Sequence, residues 1–390
     1  MTGPRFDASE DELRAGGSLK WSRHPDAIGA FVAEMDFGTA PPVAAAVHEA
    51  VDAGLLGYLP DRLVVELAEA WSGFAEERYG WRVPPERVRP LGDVVAGLQA
   101  AIEHFSAPGA PVIVPTPAYM PFLYVPPALG RQVIEVPMRV EAGRHTYDLD
   151  ALQAAYDRGA SLLVLCNPHN PVGRVLGREE QLAVAEVVER NGGRVFSDEI
   201  HAPLVYDGHR HVPYASLSEV TAAHTVTAVS ASKAWDLPGT KCAQLVLSNQ
   251  ADADVWARIG HLLEHGASTL GVVASTAAYR HGVPWLDDVL GHLDGTRTLL
   301  AGLLAEHLPE VGYRPPEGTY LAWLDLRPLG LGDHPAEVLL ERAGVALTDG
   351  PACGQVGAGF ARYTFATPRP VVEETVRRIT AAVRGPGQLA

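Results

Sequence analysis

Six short runs of consecutive apolar residues, rich in Val, Ile and Leu, constrain the fold of this 390-residue chain more than any other feature. The runs do not alternate strictly between apolar and polar residues, which is typical of strands buried on both faces of a sheet. In chain order they are residues 111–115, 132–138, 161–168, 193–199, 225–230 and 244–249. Helical patterns lie between several of them, and strands alternating with helices predict an α/β fold with a mostly parallel sheet flanked by helices.

The pattern changes after about residue 285, which predicts a second, smaller domain. A long helical pattern is followed there by two alternating strand patterns, at residues 285–308, 319–326 and 361–367. We therefore expect a large domain over residues 56–284 and a smaller α+β domain over residues 285–390. Residues 1–55 are too few to fold alone, and we expect them to pack with the smaller domain.

Charge and cysteine content exclude several classes of protein. Acidic residues outnumber basic ones by 47 to 31, which gives a net charge of −16 and argues against a nucleic-acid partner. No apolar run is long enough to cross a membrane, and the N-terminus lacks a signal-peptide pattern, so we expect a cytoplasmic protein. The three scattered cysteines, Cys166, Cys242 and Cys353, predict neither a disulfide framework nor a metal site.

Lysine is rare, and one lysine follows an apolar run. The lysines are Lys20, Lys233 and Lys241, and every other basic residue is arginine. Lys233 comes just after residues 225–230, and sites in such sheets form at the carboxyl ends of strands. Lysine, unlike arginine, can lose its proton and act as a nucleophile. The alternative is an ordinary surface lysine in a chain biased toward arginine.

A carboxylate and an amide occupy similar positions after other runs. Asp198 lies at the carboxyl-terminal end of the run 193–199, just before Glu199, and could hold a cationic group such as a pyridinium, or could cap a helix. Glu199 is the second choice for that role. Asn170 lies in the loop 166–174 (CNPHNPVGR), whose prolines restrict the backbone, so its amide could bind a ligand or could simply form a turn.

Three motifs in this order resemble one enzyme family: NPHNPVG at 167–173, SDEIH at 197–201 and SASKAWDLPG at 230–239. They resemble the class I/II aminotransferase family of fold-type I pyridoxal-5′-phosphate enzymes, and most closely the MalY/PatB-type cystathionine (cysteine-S-conjugate) β-lyases. The segment 20–37 (KWSRHPDAIGAFVAEMDF) is similar to the opening of that subgroup. The resemblance implies a C–S β-lyase that converts an amino-acid substrate to thiol, pyruvate and ammonia.

The resemblance also implies a role for each residue around the cofactor ring. Lys233 would bind the cofactor aldehyde, and Asp198 would keep the pyridine nitrogen protonated. Tyr119 would stack on the ring, and Asn170 would hydrogen-bond its phenolic oxygen. His201 would either contact that oxygen or contact the residues that surround it.

The resemblance also assigns residues to the cofactor phosphate, to the substrate and to the neighbouring subunit. The N–H groups of Val94 and Val95 would bind phosphate at the start of a helix, with the Ser230 hydroxyl and Lys241 beside them. Tyr58 would reach the phosphate of the neighbouring subunit and take part in catalysis, which implies a homodimer with shared active sites. Arg362 would bind the substrate α-carboxylate through its two-pronged guanidinium, although one arginine among many could equally be a surface residue.

The chain departs from the subgroup at four positions near the expected substrate side: Pro203, Asp236, Thr240 and Cys353. These departures leave the reaction open. An aminotransferase would use the same cofactor residues, and decarboxylation coupled to deamination of a specialised S-conjugate is a third possibility. A non-catalytic binding protein is disfavoured because Lys233, Asp198 and Arg362 are all present.

Overall fold

The computed structural model describes residues 3–385. Its strands are β1 (Ile28–Gly29), β2 (Val88–Leu91), β3 (Val112–Thr116), β4 (Val133–Pro137), β5 (Arg139–Glu141), β6 (Arg144–Thr146), β7 (Leu162–Cys166), β8 (Arg194–Asp198), β9 (Thr225–Val229), β10 (Ala243–Leu247), β11 (Gly312–Tyr313), β12 (Leu321–Asp325), β13 (Val345–Ala346), β14 (Thr348–Asp349) and β15 (Phe360–Thr364). Its helices are α1 (Glu10–Gly16), α2 (Leu19–Ser22), α3 (Pro41–Asp52), α4 (Asp61–Tyr79), α5 (Val94–His104), α6 (Pro121–Ala128), α7 (Leu149–Asp157), α8 (Arg178–Arg190), α9 (Glu219–Ala223), α10 (Gln250–Glu264), α11 (Thr269–His281), α12 (Val283–His307), α13 (Pro335–Ala343) and α14 (Arg369–Arg384).

The central sheet has seven strands in the order β2-β10-β9-β8-β7-β3-β4. Strands β9, β8, β7, β3 and β4 are parallel, whereas β10 runs antiparallel to both β9 and β2. Each of the six apolar runs forms one of these strands, so the mostly parallel sheet is confirmed. The seventh strand, β2, corresponds to no apolar run because its sequence, VRPL, is short and contains arginine and proline.

Helices cover both faces of this sheet, which explains why its strands read as continuous apolar runs. Along β7, Leu162 and Val164 belong to the core on one face, which includes residues of α5 and α10. Leu163 and Leu165 belong to the core on the opposite face, which includes residues of α7 and α8. Successive side chains of a strand point to opposite faces, so a strand covered on both sides needs apolar residues at every position.

A four-stranded antiparallel sheet, in the order β11-β12-β15-β14, lies in the C-terminal part of the chain. Strand β1 pairs with β13, so the N-terminal segment is hydrogen-bonded to this part. Helix α3, in contrast, packs against α11. The division into residues 56–284 and the remainder stays a prediction, and residues 1–2 and 386–390 of it lie outside the described residues.

Membrane-spanning helices and metal clusters are both absent from residues 3–385. None of the helices there combines the length and apolar character needed to cross a membrane. The same residues contain no cluster of His, Cys, Asp and Glu that could hold a metal ion. The three cysteines are buried and unpaired.

Candidate active site

Four neighbouring parallel strands end at one edge of the central sheet, and a candidate residue lies at or just after the end of each. Lys233 comes after β9, Asp198 ends β8, Asn170 follows β7 and Tyr119 follows β3. All four line one cavity of about 710 Å³. Arg362 of β15 lines the same cavity from the C-terminal sheet. The cavity therefore lies where α/β sheets generally form their sites, beyond the carboxyl ends of the strands.

Lys233 carries an amine whose surroundings favour the neutral form. Its Nζ donates a hydrogen bond to the Ala33 carbonyl at 2.9 Å, and the Tyr320 hydroxyl donates to the same oxygen at 3.1 Å. Burial lowers the pKa of Lys233; the nearby charge of Asp236 acts in the opposite direction, and the positive charge of Arg362 lowers it further. An amine with a lowered pKa can act as a nucleophile and as a base near neutral pH.

Asp198 is a carboxylate that the protein alone leaves poorly stabilised. Its side chain is 3% exposed, and its Oδ1 accepts the Ile200 N–H at 3.1 Å. Burial raises the pKa of Asp198 to about 7, although the Ile200 hydrogen bond and the charge of Lys233 act against this shift. A cationic partner in the cavity would stabilise its charged form.

Glu199, the second choice for this role, has a different environment. It is buried, and its Oε1 accepts hydrogen bonds from the Ser197 hydroxyl at 2.8 Å and from the Tyr214 N–H at 3.0 Å. His211 Nε2 lies 2.9 Å from its other oxygen. Glu199 does not line the cavity. The structure therefore gives it a structural role beside the site.

Arg362 is held in place from three sides. Its Nη2 donates to the Phe31 carbonyl at 2.8 Å and to Thr348 Oγ1 at 3.0 Å, and its Nη1 donates to Asn170 Oδ1 at 3.2 Å. Arg362 is 2% exposed, and its Nε has no hydrogen-bond partner among the described residues. A buried, positioned guanidinium with a free donor can bind a carboxylate of a ligand.

The start of α5 also lines the cavity. Val94 and Val95 line it in the first helical turn, where N–H groups have no partner within the helix. Asp93 caps this helix by accepting the Ala96 N–H at 2.9 Å, and its other oxygen accepts Lys241 Nζ at 2.8 Å. A helix start with a lysine beside it favours binding of a phosphate.

Ser230, which the resemblance assigns to the phosphate, is hydrogen-bonded within the protein, and its role at the phosphate stays a prediction. Ser230 is absent from the cavity lining, and its hydroxyl donates to the Cys242 carbonyl at 2.7 Å. Ser232, two residues later, lines the cavity instead. The chain leaves β9 at Val229 and turns, and the buried Ser230 hydroxyl is used to hold that turn against Cys242.

Tyr119 and His201 line the cavity on either side of these charged groups. Burial raises the pKa of Tyr119 to about 12, and the neighbouring charge of Asp198 acts in the same direction. Burial lowers the pKa of His201 to about 3, and the charges of Lys233 and Arg362 lower it further. His201 Nδ1 is buried without a partner among the described residues. Both rings are therefore neutral near pH 7.

Tyr58 is not brought to this cavity. It is 93% exposed and lines a separate hollow of about 490 Å³ together with Leu56 and His265. Leu56, which lines the same hollow, is 64% exposed. Within one chain Tyr58 therefore cannot contribute to the site described above.

One wall of the site was missed from the sequence. Arg23, His24, Phe31 and Ala33 line the cavity, and the carbonyls of Phe31 and Ala33 bind Arg362 and Lys233. In the sequence, this segment is marked only by the similarity of residues 20–37 to the opening of the subgroup. Its backbone carbonyls could not be predicted as ligands, because every residue type has one. Ala33 is also 200 residues from Lys233 along the chain.

The four departures from the subgroup, Pro203, Asp236, Thr240 and Cys353, do not line the cavity. Asp236 lies immediately behind it: the φ angle is +53°, and Oδ1 accepts the Met35 N–H at 3.0 Å. Burial raises the pKa of Asp236 to about 7. Asp236 thus supports the N-terminal wall of the site through Met35.

The residues fit pyridoxal 5′-phosphate, the group that the sequence resemblance implies. Asp198 is a buried carboxylate that needs a cationic partner, and Lys233 has a lowered pKa. The helix start at Val94 supplies a phosphate site in the same cavity. The unpartnered nitrogens of His201 and Arg362 show that polar groups of a ligand are expected between them.

Comparison with known proteins supports the same interpretation. Residues 30–379 match the family described as aminotransferase class I and II. The chain is 40% identical to cystathionine beta-lyase of Corynebacterium glutamicum, covering 96% of this chain and 98% of that protein. It is 32% identical to cystathionine beta-lyase PatB of Bacillus subtilis, covering 97% and 99%. The crystal structure of a candidate PLP-dependent beta-cystathionase from Corynebacterium diphtheriae superposes with a TM-score of 0.92 at 38% identity, covering 98% and 99%.

Proposed function

The chain belongs to the class I and II aminotransferase family, and we propose that it is a pyridoxal-phosphate-dependent C–S β-lyase of the MalY/PatB type. Its substrate is cystathionine or another L-cysteine S-conjugate, and its products are a thiol, pyruvate and ammonia. The observation that carries the proposal is the meeting of Lys233, Asp198 and Arg362 in one cavity, in a chain whose full-length relatives are named cystathionine beta-lyases.

Bound pyridoxal phosphate supplies an electron sink that stabilises a carbanion at the substrate Cα. We assign Lys233 to its aldehyde, Asp198 to its pyridine nitrogen and Tyr119 to the face of its ring. We also assign Asn170 to its phenolic oxygen, and Asn170 Oδ1 accepts a hydrogen bond from Arg362 Nη1. Val94, Val95 and Lys241 bind the phosphate.

The protein residues then position the substrate and move its protons. Arg362 binds the α-carboxylate in a two-pronged fork, which fixes the orientation of Cα. Lys233, whose pKa is lowered by burial, removes the Cα proton. The thiolate is a good leaving group because thiols have a pKa of about 8.5. Lys233, or Tyr58 of the neighbouring subunit, returns a proton to the departing sulfur.

The reaction is tested by incubating the holoenzyme with cystathionine and with several S-alkyl-L-cysteines. Pyruvate, thiol and ammonia should appear in equal amounts without any added 2-oxo acid. If no pyruvate forms and the amino group is instead transferred to an added 2-oxo acid, the chain is an aminotransferase and the lyase proposal is wrong.

The assignment of Lys233 has its own test. Borohydride reduction of the holoenzyme, followed by peptide mass spectrometry, should find the cofactor attached to Lys233, and K233A should lose both this label and turnover. K241A is the matched control, since Lys241 lies in the same cavity but pairs with Asp93. K241A should keep the label on Lys233, and a label on Lys241 in the unmodified protein contradicts the assignment.

We further propose a homodimer in which Tyr58 completes the site of the neighbouring subunit. The exposure of Tyr58 and of the apolar residue Leu56, which line one hollow, supports an interface there. Y58F and K233A subunits are mixed, dissociated and reassembled. A hybrid dimer regains one intact site only if Tyr58 acts across the interface, so about a quarter of wild-type turnover should return on random pairing. If no turnover returns, Tyr58 does not act in the partner's site.

A cytoplasmic location is also proposed. It is supported by the unpaired state of Cys166, Cys242 and Cys353, which fits a reducing compartment. Cell fractionation with an antibody against the chain tests it, and recovery outside the cytoplasmic fraction contradicts it.

A further inference from the structure

A basic and aromatic wall of the cavity has no role in the function proposed so far. It is formed by Leu19 of α2 and by Arg23, His24 and Phe31, which come after that helix. We call these four residues the α2 wall. It lies outside the groups that hold the cofactor and the substrate α-carboxylate.

Arg23 is the charged residue of the α2 wall. It is exposed at the carboxyl end of α2, and its guanidinium carbon lies 5.7 Å from the centre of the Phe31 ring. Arg23 forms no ion pair with a carboxylate in residues 3–385. Lys241, by comparison, is paired with Asp93. Arg23 is therefore a cation at the cavity whose charge the described protein leaves uncompensated.

Phe31 connects this cation with the site of the α-carboxylate. Its carbonyl accepts Arg362 Nη2 at 2.8 Å, while its side chain lies beside Arg23 and edge-on to His24, with ring centroids 5.6 Å apart. A substrate held at Arg362 by its α-carboxylate has its side chain free to extend along the Phe31 ring. Arg23 lies beside this ring and lines the same cavity as Arg362.

The net charge of the chain makes a cation at this cavity important for binding an anionic substrate. The chain has a net charge of −16, which opposes the approach of an anionic substrate. Local positive charges inside the cavity can overcome this repulsion for a ligand with carboxylates at both ends. A neutral leaving group would gain nothing from Arg23.

We propose that Arg23 binds a carboxylate at the far end of the leaving group, with Phe31 as the apolar surface along which that group lies. This inference rests on the proposed lyase function. The favoured substrates are L-cysteine S-conjugates whose sulfur substituent ends in a carboxylate, a class that includes cystathionine. Arg23 and Arg362 thus bind the two ends of one substrate.

A pair of substrates with the same shape tests the role of the charge. S-(2-carboxyethyl)-L-cysteine and S-(2-carbamoylethyl)-L-cysteine differ only in a carboxylate and an amide. The wild-type holoenzyme should show a kcat/KM about fivefold higher for the acid, equivalent to about 1 kcal/mol, as expected of a partly exposed ion pair. The preference should lie in KM, not in kcat, and should shrink as salt is added.

Two variants assign the preference to Arg23. R23Q should raise KM for the acid and bring the two substrates to the same kcat/KM, while R23K should keep part of the preference as a point charge. R158Q is the control, because Arg158 is also an exposed arginine at the carboxyl end of a helix, α7, but lies outside the cavity. It should keep the wild-type preference.

The outcomes separate this inference from the lyase proposal. If the wild type forms pyruvate from both substrates at equal kcat/KM, or if R23Q keeps the preference, the Arg23 site is wrong and the lyase function stands. If pyruvate forms from neither substrate, the lyase function and the Arg23 site are both overturned.

Discussion

Replacing Lys20 by methionine should destabilise the protein strongly, because Lys20 forms a buried ion pair at the start of the chain. The Lys20 side chain is 0% exposed, and its Nζ lies 2.7 Å from Asp36 Oδ2. It also donates to the carbonyls of Ala366 at 3.1 Å and Glu34 at 3.4 Å. The other Asp36 oxygen accepts Trp21 Nε1 at 2.9 Å.

Methionine has a similar length and volume, so K20M removes the charge and leaves little cavity. The carboxylate of Asp36 then stays buried with one hydrogen-bond donor, Trp21. Removing one partner of a buried pair lowers the free energy of unfolding by about 3–5 kcal/mol. The loss should also reach the active site, since the carbonyls of Phe31 and Ala33, which hold Arg362 and Lys233, lie between Lys20 and Asp36 in the sequence.

Urea unfolding followed by tryptophan fluorescence, at one fixed cofactor concentration, measures the effect. The double variant K20M/D36N should recover most of the stability, because it no longer buries an unpaired charge. R82Q is the surface control: Arg82 pairs with Glu76 at 2.6 Å, but both side chains are exposed, so its removal should change the free energy of unfolding by less than about 1 kcal/mol. A K20M midpoint equal to that of R82Q would refute the reasoning.

Three further variants test the site. D198N should keep bound cofactor by absorbance yet lose on the order of a hundredfold or more in kcat/KM, since a neutral amide cannot hold the pyridine nitrogen protonated; near wild-type rates contradict this role. R362K should raise KM about tenfold, because a lysine cannot form the two-pronged contact, and an unchanged KM places the α-carboxylate elsewhere. Burial raises the pKa of Asp236 to about 7, so the folded protein holds the Asp236 proton more tightly than the unfolded chain does. The free energy of unfolding therefore falls as pH rises from about 4 through about 7. D236N cannot ionise and should gain urea resistance over wild type at pH 8 more than at pH 5; a pH-independent difference argues against the shift.

The sequence alone determined the sheet and the residues at its edge. Its apolar runs marked six of the seven central strands, because strands covered on both faces must be apolar at every position. Parallel strands end at one edge, so Lys233, Asp198 and Asn170 could be grouped from their places in the sequence, whereas Tyr119 was assigned only through the family resemblance. Strand β2 was missed because its four residues have no such pattern.

The tertiary structure decided how distant segments complete the site. Asn170 meets Arg362 across 192 residues, and the Ala33 carbonyl meets Lys233 across 200. It also brought the Ser230 hydroxyl to the Cys242 carbonyl. Contacts of this kind depend on how the two sheets and the N-terminal segment pack, and main-chain carbonyls are chemically alike in every residue. A local pattern of residue types therefore specified the strands and the residues at their carboxyl ends, while only packing specified the α2 wall and the hydrogen bonds that orient Arg362.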